Sequence, residues 1–439
     1  MRTRLGATAA VVASLVLAAC SNPSSGSGDS SKGGRATWPK ETAKLNGTTL
    51  TIWAAQNSNT VAKKVISDFE SATGAKVHVV TIPDPYEQGV QTKVASGDKP
   101  DLAFWQPTAS ELTSLNATSN LQTLDGAPWI AKFQPALRNI TGLLHGKRYA
   151  ALISSPAVEG VYYNKQVFAK YGITGLPKNF DELLADARQI KAKGGTPFYE
   201  MGGDKWATQW WVQVQLADAA KQGLWDRVNA DKEKFTDPTI LDAIKKYKAL
   251  VDEGLFNKNI TSATFVDQGK ALLAGDAPMV MQVNSFFGEL QASASTDELN
   301  QKIGFFPISP SGNVGTFIPD QSNAVVAFKT GDGKREAAAR QFLSFWLGSD
   351  YPKYLAAQNT VSLETGVPSP ATVPDALKSV AAAVPTSVGS MQALAVANPD
   401  LYLNLANMLA GTMSPQRVAS TTQAQFAQLA KAIGAPGYK

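Results

Sequence analysis

The sequence predicts an α/β protein organised around a parallel sheet, and three observations carry that expectation. Strand-like and helix-like runs alternate from the start of the body. The strand runs are short, β-branched and closed by polar loops. The 439 residues suffice for two or three domain-sized cores rather than one.

Thr49-Leu50-Thr51-Ile52-Trp53 reads as the first strand, ending in the polar loop Gln56-Asn57-Ser58-Asn59. A helix is expected next, with Asn59 or Thr60 as its N-cap, Val61, Val65, Ile66 and Phe69 on one face, and Gly74 just past its end. Lys76-Val77-His78-Val79-Val80 is the second strand, Tyr86, Val90 and Val94 mark a second helix, and Asp101–Trp105 is the third strand. This βαβαβ order implies parallel pairing, and ligands of such sheets sit beyond the carboxyl ends of the strands. Further along, Ile153–Lys165 is strand-like, Phe180–Gly254 is mostly helical, and Phe265–Leu273 is helical. Strands are expected at Pro278–Val283, Ile303–Phe306 and Ala324–Phe328, and helices at Glu336–Leu347, Asp400–Leu409 and Gln416–Ile433.

Composition is ordinary for a globular chain: 44% hydrophobic, 18% charged and 9% aromatic. The formal charge of +5 includes Arg2 and Arg4, and no basic stripe is interleaved with aromatics, so nucleic acid is not expected as a partner. Arg2 and Arg4 precede an uncharged stretch, Leu5–Ala19, too short for a comfortable membrane span but suited to a signal peptide. It ends in Leu17-Ala18-Ala19-Cys20, which matches a bacterial lipobox, so residues 1–19 are expected to be removed and Cys20, the lone cysteine, to carry a lipid. One cysteine allows neither a disulfide framework nor a cysteine metal cluster. Residues 20–44 open with a Gly/Ser-rich run and read as a flexible tether of roughly 27 Å reach. The expected location is extracytoplasmic, at the cell membrane.

Catalytic patterns are missing. His78 sits in a strand and His145 in a turn, neither with metal-ligand spacing or a nucleophile beside it. No G-x-S-x-G, G-x-x-x-x-G-K-[ST] or H-E-x-x-H run occurs, and Gly331-Asp332-Gly333-Lys334 is most simply a turn. The chain is read as a non-enzyme with no cofactor and no metal.

Several segments together resemble the family 1 extracellular solute-binding proteins, the group that includes maltose-binding protein. Ser96–Trp105 is similar to that family's third-strand motif, Pro156–Glu159 with Tyr163-Asn164-Lys165 to its first crossing between lobes, Ala324 onward with Glu336–Leu347 to the return, and Thr360–Pro368 to the last crossing. The likeness runs over about residues 46 to 433. It implies a two-lobed periplasmic-binding-protein-like α/β fold, each lobe a mostly parallel sheet flanked by helices, joined by a hinge with several crossings. Lobe one would comprise 45–159 and 321–365, and lobe two 160–320 and 366–439. It further implies a monomer that binds a carbohydrate, a di- or oligosaccharide, between the lobes and delivers it to the transmembrane subunits of an ABC importer.

Sugars offer apolar C–H faces and a rim of hydroxyls, so flat rings and planar amides or carboxylates are the side chains to look for. Trp105, after the third strand, matches the family tryptophan that faces sugar. Trp206, in the turn-rich run Met201–Trp211, is the second candidate ring, with Trp210 and Trp211 expected in the core. Phe286 follows Asn284-Ser285 at the family's position for another stacking ring. Gln56, Asn57 and Asn59 are either hydroxyl partners or turn and cap residues; Gln106, Glu159, Asn284, Asp320, Gln321 and Tyr402 complete the set. Gln56-Asn57 and Gln106-Pro107-Thr108 stand where the maltose-binding member has charged residues, so the resemblance does not extend to the contacts of maltose. Two rivals remain open on the sequence, a binder of another small polar solute and a lipid-anchored carbohydrate hydrolase. An envelope lipoprotein without a ligand is a third.

Overall fold

The computed structural model describes residues 37–55, 62–83, 86–319 and 323–438. The lipobox, Cys20, most of the tether and the site candidates Gln56, Asn57, Asn59, Asp320 and Gln321 lie outside the described residues. Residues 36–439 form one compact unit.

The strands, in chain order, are β1 (Thr49–Ala55), β2 (Lys76–Ile82), β3 (Leu102–Phe104), β4 (Leu143–Leu144), β5 (Lys147–Arg148), β6 (Ala150–Leu152), β7 (Ala157–Asn164), β8 (Met279–Gln282), β9 (Ile303–Phe306), β10 (Thr316–Ile318), β11 (Ala324–Ala327) and β12 (Val388–Gly389). The first sheet has the order β2-β1-β3-β11-β6. Its β1, β2 and β3 are parallel, as the alternating order predicts, and the returning β11 runs antiparallel between β3 and β6. Leu50, Ile52 and Ala54 point to the helices Lys63–Thr73 and Gly333–Trp346, while Trp53 and Ala55 point to the helix Tyr86–Ala95. That alternation is the two-residue period of a strand buried on both faces.

In the second sheet β7 is central, antiparallel to β8, β9 and β10, with only β10 and β12 parallel. Both sheets are therefore mixed, and the second is mainly antiparallel rather than mostly parallel. Its strands enter from long connections whose direction the local pattern does not encode. Ala157 to Glu159 already pair with β10, so the first crossing falls at residues 153–156, before Glu159. β4 and β5 form a small hairpin whose turn holds His145 and Gly146 at positive φ, which gives His145 a turn role.

The first helix starts at Lys63 with Ala62, rather than Asn59 or Thr60, at its cap position and no side-chain cap bond. Gly74 ends it in the left-handed conformation. Asp332 caps Gly333–Trp346 by accepting from the amides of Lys334 and Arg335, so the run expected as a turn is a bend at Gly331 and a cap at Asp332, with Gly333 and Lys334 already in the first turn of the helix. Asp101, fully buried before β3, accepts from the Thr51 amide (2.8 Å) and takes both arms of Arg335 (3.0 and 2.9 Å), tying β3 to β1 and to that helix.

One apolar cluster runs without interruption from Leu50 in the first sheet to Phe286, Phe305 and Val380 beside the second. The halves share a core on that side.

Candidate functional site

Where the chain crosses between sheets, short polar side chains collect. Asn323 donates from Nδ2 to Ser154 Oγ (3.0 Å) and to the Ser155 carbonyl (3.0 Å), and its own carbonyl accepts from the Ile153 amide (2.7 Å). Asn284, on the loop after β8, accepts at Oδ1 from the Val158 amide (3.2 Å). These residues border a cavity of about 320 Å³ between the halves, closed on its other sides by Gln291, Tyr354 and Asn359. Among the described residues its wall contains no charged side chain. The Tyr354 hydroxyl, fully buried, has no hydrogen-bond partner among the described residues. An orphaned buried hydroxyl is costly, on the order of 1–3 kcal/mol, unless water or a ligand meets it.

The crossing strand carries two more such groups. Glu159 and Thr316 stand opposite each other across the β7–β10 pair; both are buried, and neither the carboxyl nor the hydroxyl has a partner among the described residues. Burial pushes the Glu159 carboxyl well above the usual carboxylate range, so it is held neutral.

The rings divide differently from expectation. Trp105 is fully enclosed: it continues the β3 alternation onto the side packed by Tyr86, Val90 and Leu112, and its Nε1 donates to the Glu111 carbonyl (2.9 Å). It offers no face to a ligand. Phe286 is also fully buried, at the start of the helix Phe286–Ser293, where it packs edge-on to Tyr162 and Phe265. Both are core residues here, because each sits in phase with the buried side of its element. Trp206 is half-buried, resting on Phe265 (5.4 Å) and Trp210 (6.2 Å), while Trp210 and Trp211 are buried. Tyr402 is half-buried nearby, and its carbonyl accepts from the Thr208 hydroxyl (2.9 Å). Gln106 is half-buried after β3.

The structure thus brings Trp206 near Tyr402, sets Asn284 beside the crossing and places Glu159 in β7, just past it. Sequence reasoning passed over Ser154, Asn323 and Tyr354, which lie in crossings and a helix stripe with no motif to mark them. Glu200, which with Asp204 is one of the carboxylate pairs a hydrolase could use but which nothing in the sequence singles out, is buried in the second half, and its carboxylate accepts from the Met201 amide (2.9 Å) and the Tyr247 hydroxyl (3.2 Å). Burial lifts Glu200 to about 7 despite those bonds. Among the described residues no His, Cys, Asp and Glu cluster could hold a metal, and no helix is long and apolar enough to cross a membrane.

The model of the bacterial extracellular solute-binding protein family matches residues 54–351, which is more than half of the chain. The chain belongs to this family. Its members are binding proteins rather than enzymes. A binding protein of Brucella abortus is 29% identical over 197 residues, 44% of this chain and 46% of that one. The multiple sugar-binding protein of Streptococcus mutans is 28% identical over 214 residues, 47% of this chain and 49% of that one. The diacetylchitobiose binding protein DasA of Streptomyces coelicolor is 25% identical over 336 residues, 72% and 73% of the two chains. The chain spans about half the length of the first two of these relatives. Among solved structures, a chitin oligosaccharide binding protein superposes with TM-score 0.73 at 22% identity, covering 87% of this chain and 99% of that one. RafE in complex with raffinose superposes with TM-score 0.70 at 21% identity, covering 87% and 100%. At these identities the likeness is one of fold.

Proposed function

We propose that this solute-binding protein captures a di- or oligosaccharide between its two halves and hands it to the membrane subunits of an ABC importer. The observation that carries this is the lining of the cavity at the crossings, which among the described residues mixes amides and hydroxyls with apolar side chains and carries no charge. Neutral amides and hydroxyls suit a neutral, hydroxyl-rich ligand, and an ionic solute would find no counter-charge there. The sugar-binding names of the relatives support the same reading.

Glu159 and Thr316 in the β7–β10 pair beside the crossing, with Asn284, Trp206 and Tyr402, are the side chains proposed to meet the ligand. Gln56, Asn57, Asn59, Gln106, Asp320 and Gln321 remain proposed contacts from the strand ends and crossing. The halves are proposed to act as lobes, with boundaries near 156, 320 and 365, and ligand contacts from both favour the closed arrangement. A lipid on Cys20 would hold the protein at the outer face of the membrane.

Titration calorimetry with raffinose, stachyose, diacetylchitobiose and longer chitin oligosaccharides tests the reading. At least one should bind in the micromolar range, about −8 kcal/mol. Binding of an amino acid, peptide or polyol with no response to any saccharide overturns it. Replacing Cys20 with alanine should move the protein from the membrane to the soluble fraction; unchanged membrane association refutes the anchor.

A further inference from the structure

The backbone immediately before Trp206 is strained, and its surroundings hold it so. Lys205 has φ +67° and ψ −50°, and the Trp206 amide donates to the Asp204 carbonyl two residues back (2.7 Å): a γ-turn, in a region of backbone space that non-glycine residues rarely occupy. Nothing nearby lets it relax. The Asp204 carboxylate accepts from the Phe265 amide (2.6 Å), and the Gly203 amide donates to the Ala263 carbonyl (3.0 Å). Gly202 and Gly203 lie so close to residues 260–263 that an added Cβ would come within 2.4 Å of the Ile260 carbonyl oxygen and 2.7 Å of that of Ala263.

Behind Trp206 runs a chain of three buried glutamines. Gln209 Nε2 donates to the Trp206 carbonyl (3.1 Å), Gln392 Nε2 to Gln209 Oε1 (2.7 Å), and Gln213 Nε2 to Gln392 Oε1 (2.7 Å). The chain ends where Gln213 Oε1 accepts from the Met391 amide (3.2 Å), at the first residue of the helix Met391–Leu394. That helix packs against Ala109–Ser114, the helix that follows β3 in the other half. Each amide uses its donor and acceptor in one direction along the chain, so the links polarise and orient one another.

We propose that Lys205, Gln209 and Gln392 are positioning residues for the Trp206 ring. The strained turn fixes the ring against Phe265 and Trp210, and the glutamine chain connects its backbone to the helix Met391–Leu394, which meets the first half. Movement of the halves then reaches the ring through hydrogen bonds rather than through ligand alone. What the ring serves rests on the saccharide reading; how it is held does not.

The test is fluorine NMR on the full chain labelled with 5-fluorotryptophan, with the Trp206 line among the nine tryptophans assigned by its loss in Trp206→Phe. In the free protein we expect a single sharp Trp206 line, split or broadened in Lys205→Gly and shifted in Gln392→Leu. Lys205→Gly should also raise the melting temperature by a few degrees, since glycine adopts this conformation freely. Both variants should weaken, by about tenfold, binding of whichever of raffinose, stachyose or diacetylchitobiose the wild type takes. Trp206 lines in both variants that superimpose on the wild type overturn the inference. If no saccharide binds, the functional reading falls by itself, and the free-protein lines still decide the positioning.

Discussion

Trp105 and Trp206 make the instructive pair. Trp105 directly follows a strand and Trp206 begins a helix, each has a polar residue on one side, and each is a reasonable sugar-stacking ring on sequence. In the first half the indole stays in phase with the β3 alternation, so the strand's own geometry turns it into the layer shared with Tyr86 and Leu112. In the second half Trp206 opens a short helix straight after the positive-φ turn at Lys205, with no strand or helix period running into it, and the ring is left half-buried on top of Phe265 and Trp210. Phase with the preceding element, more than flanking polarity, separates a core ring from a rim ring.

The largest expected effect comes from breaking this contrast at its buried member. Trp105→Ala should cost about 3–5 kcal/mol of unfolding free energy in denaturant titration, whereas Trp206→Ala should cost about 1–2 kcal/mol and act mainly on saccharide affinity. Equal losses at the two positions would mean that both are core.

Next is the tie that anchors β3 in the first half. Arg335→Ala leaves the Asp101 carboxylate buried with only the Thr51 amide, and should cost about 3 kcal/mol. A change below about 1 kcal/mol would show that the pair is merely superficial.

The second half has a pH signature that sharpens the comparison. Glu200 titrates near 4.5 when unfolded and about 7 when folded. The unfolded state therefore loses its proton first. The stabilisation is complete below pH 4.5, falls as pH rises, and is gone above 7, at most about 3 kcal/mol in all. Glu200→Gln should flatten the stability profile between pH 5 and 8; a profile that keeps its slope places the titrating group elsewhere. Smallest is Glu159→Gln. With the carboxyl already neutral, unfolding free energy should move by less than about 1 kcal/mol, and a larger loss in the same denaturant titration would mean that the buried group is ionised.

Much of the fold was legible from local pattern. The parallel β1, β2 and β3, the left-handed Gly74 cap and the burial of Trp210 and Trp211 all follow from period and turn chemistry. The antiparallel pairing around β7 was not, because its partners β8, β9 and β10 lie more than a hundred residues away in the chain, and nothing local specifies their direction. The candidate site was legible only in part for the same reason. Asn284 carries a visible signal after a buried strand, but Ser154, Asn323 and Tyr354 become a site only when two crossings and a helix end converge.

The sequence by itself determined the family, the order of strands and helices and the lack of catalytic patterns, because each depends on residue type and short-range spacing. Tertiary structure decided which rings are enclosed, that Glu159, Thr316 and Tyr354 are buried without partners, and that the glutamines of one half form a chain reaching toward the other. Burial and pairing belong to no single segment. They arise when distant segments exclude water from one another, and that depends on the fold as a whole.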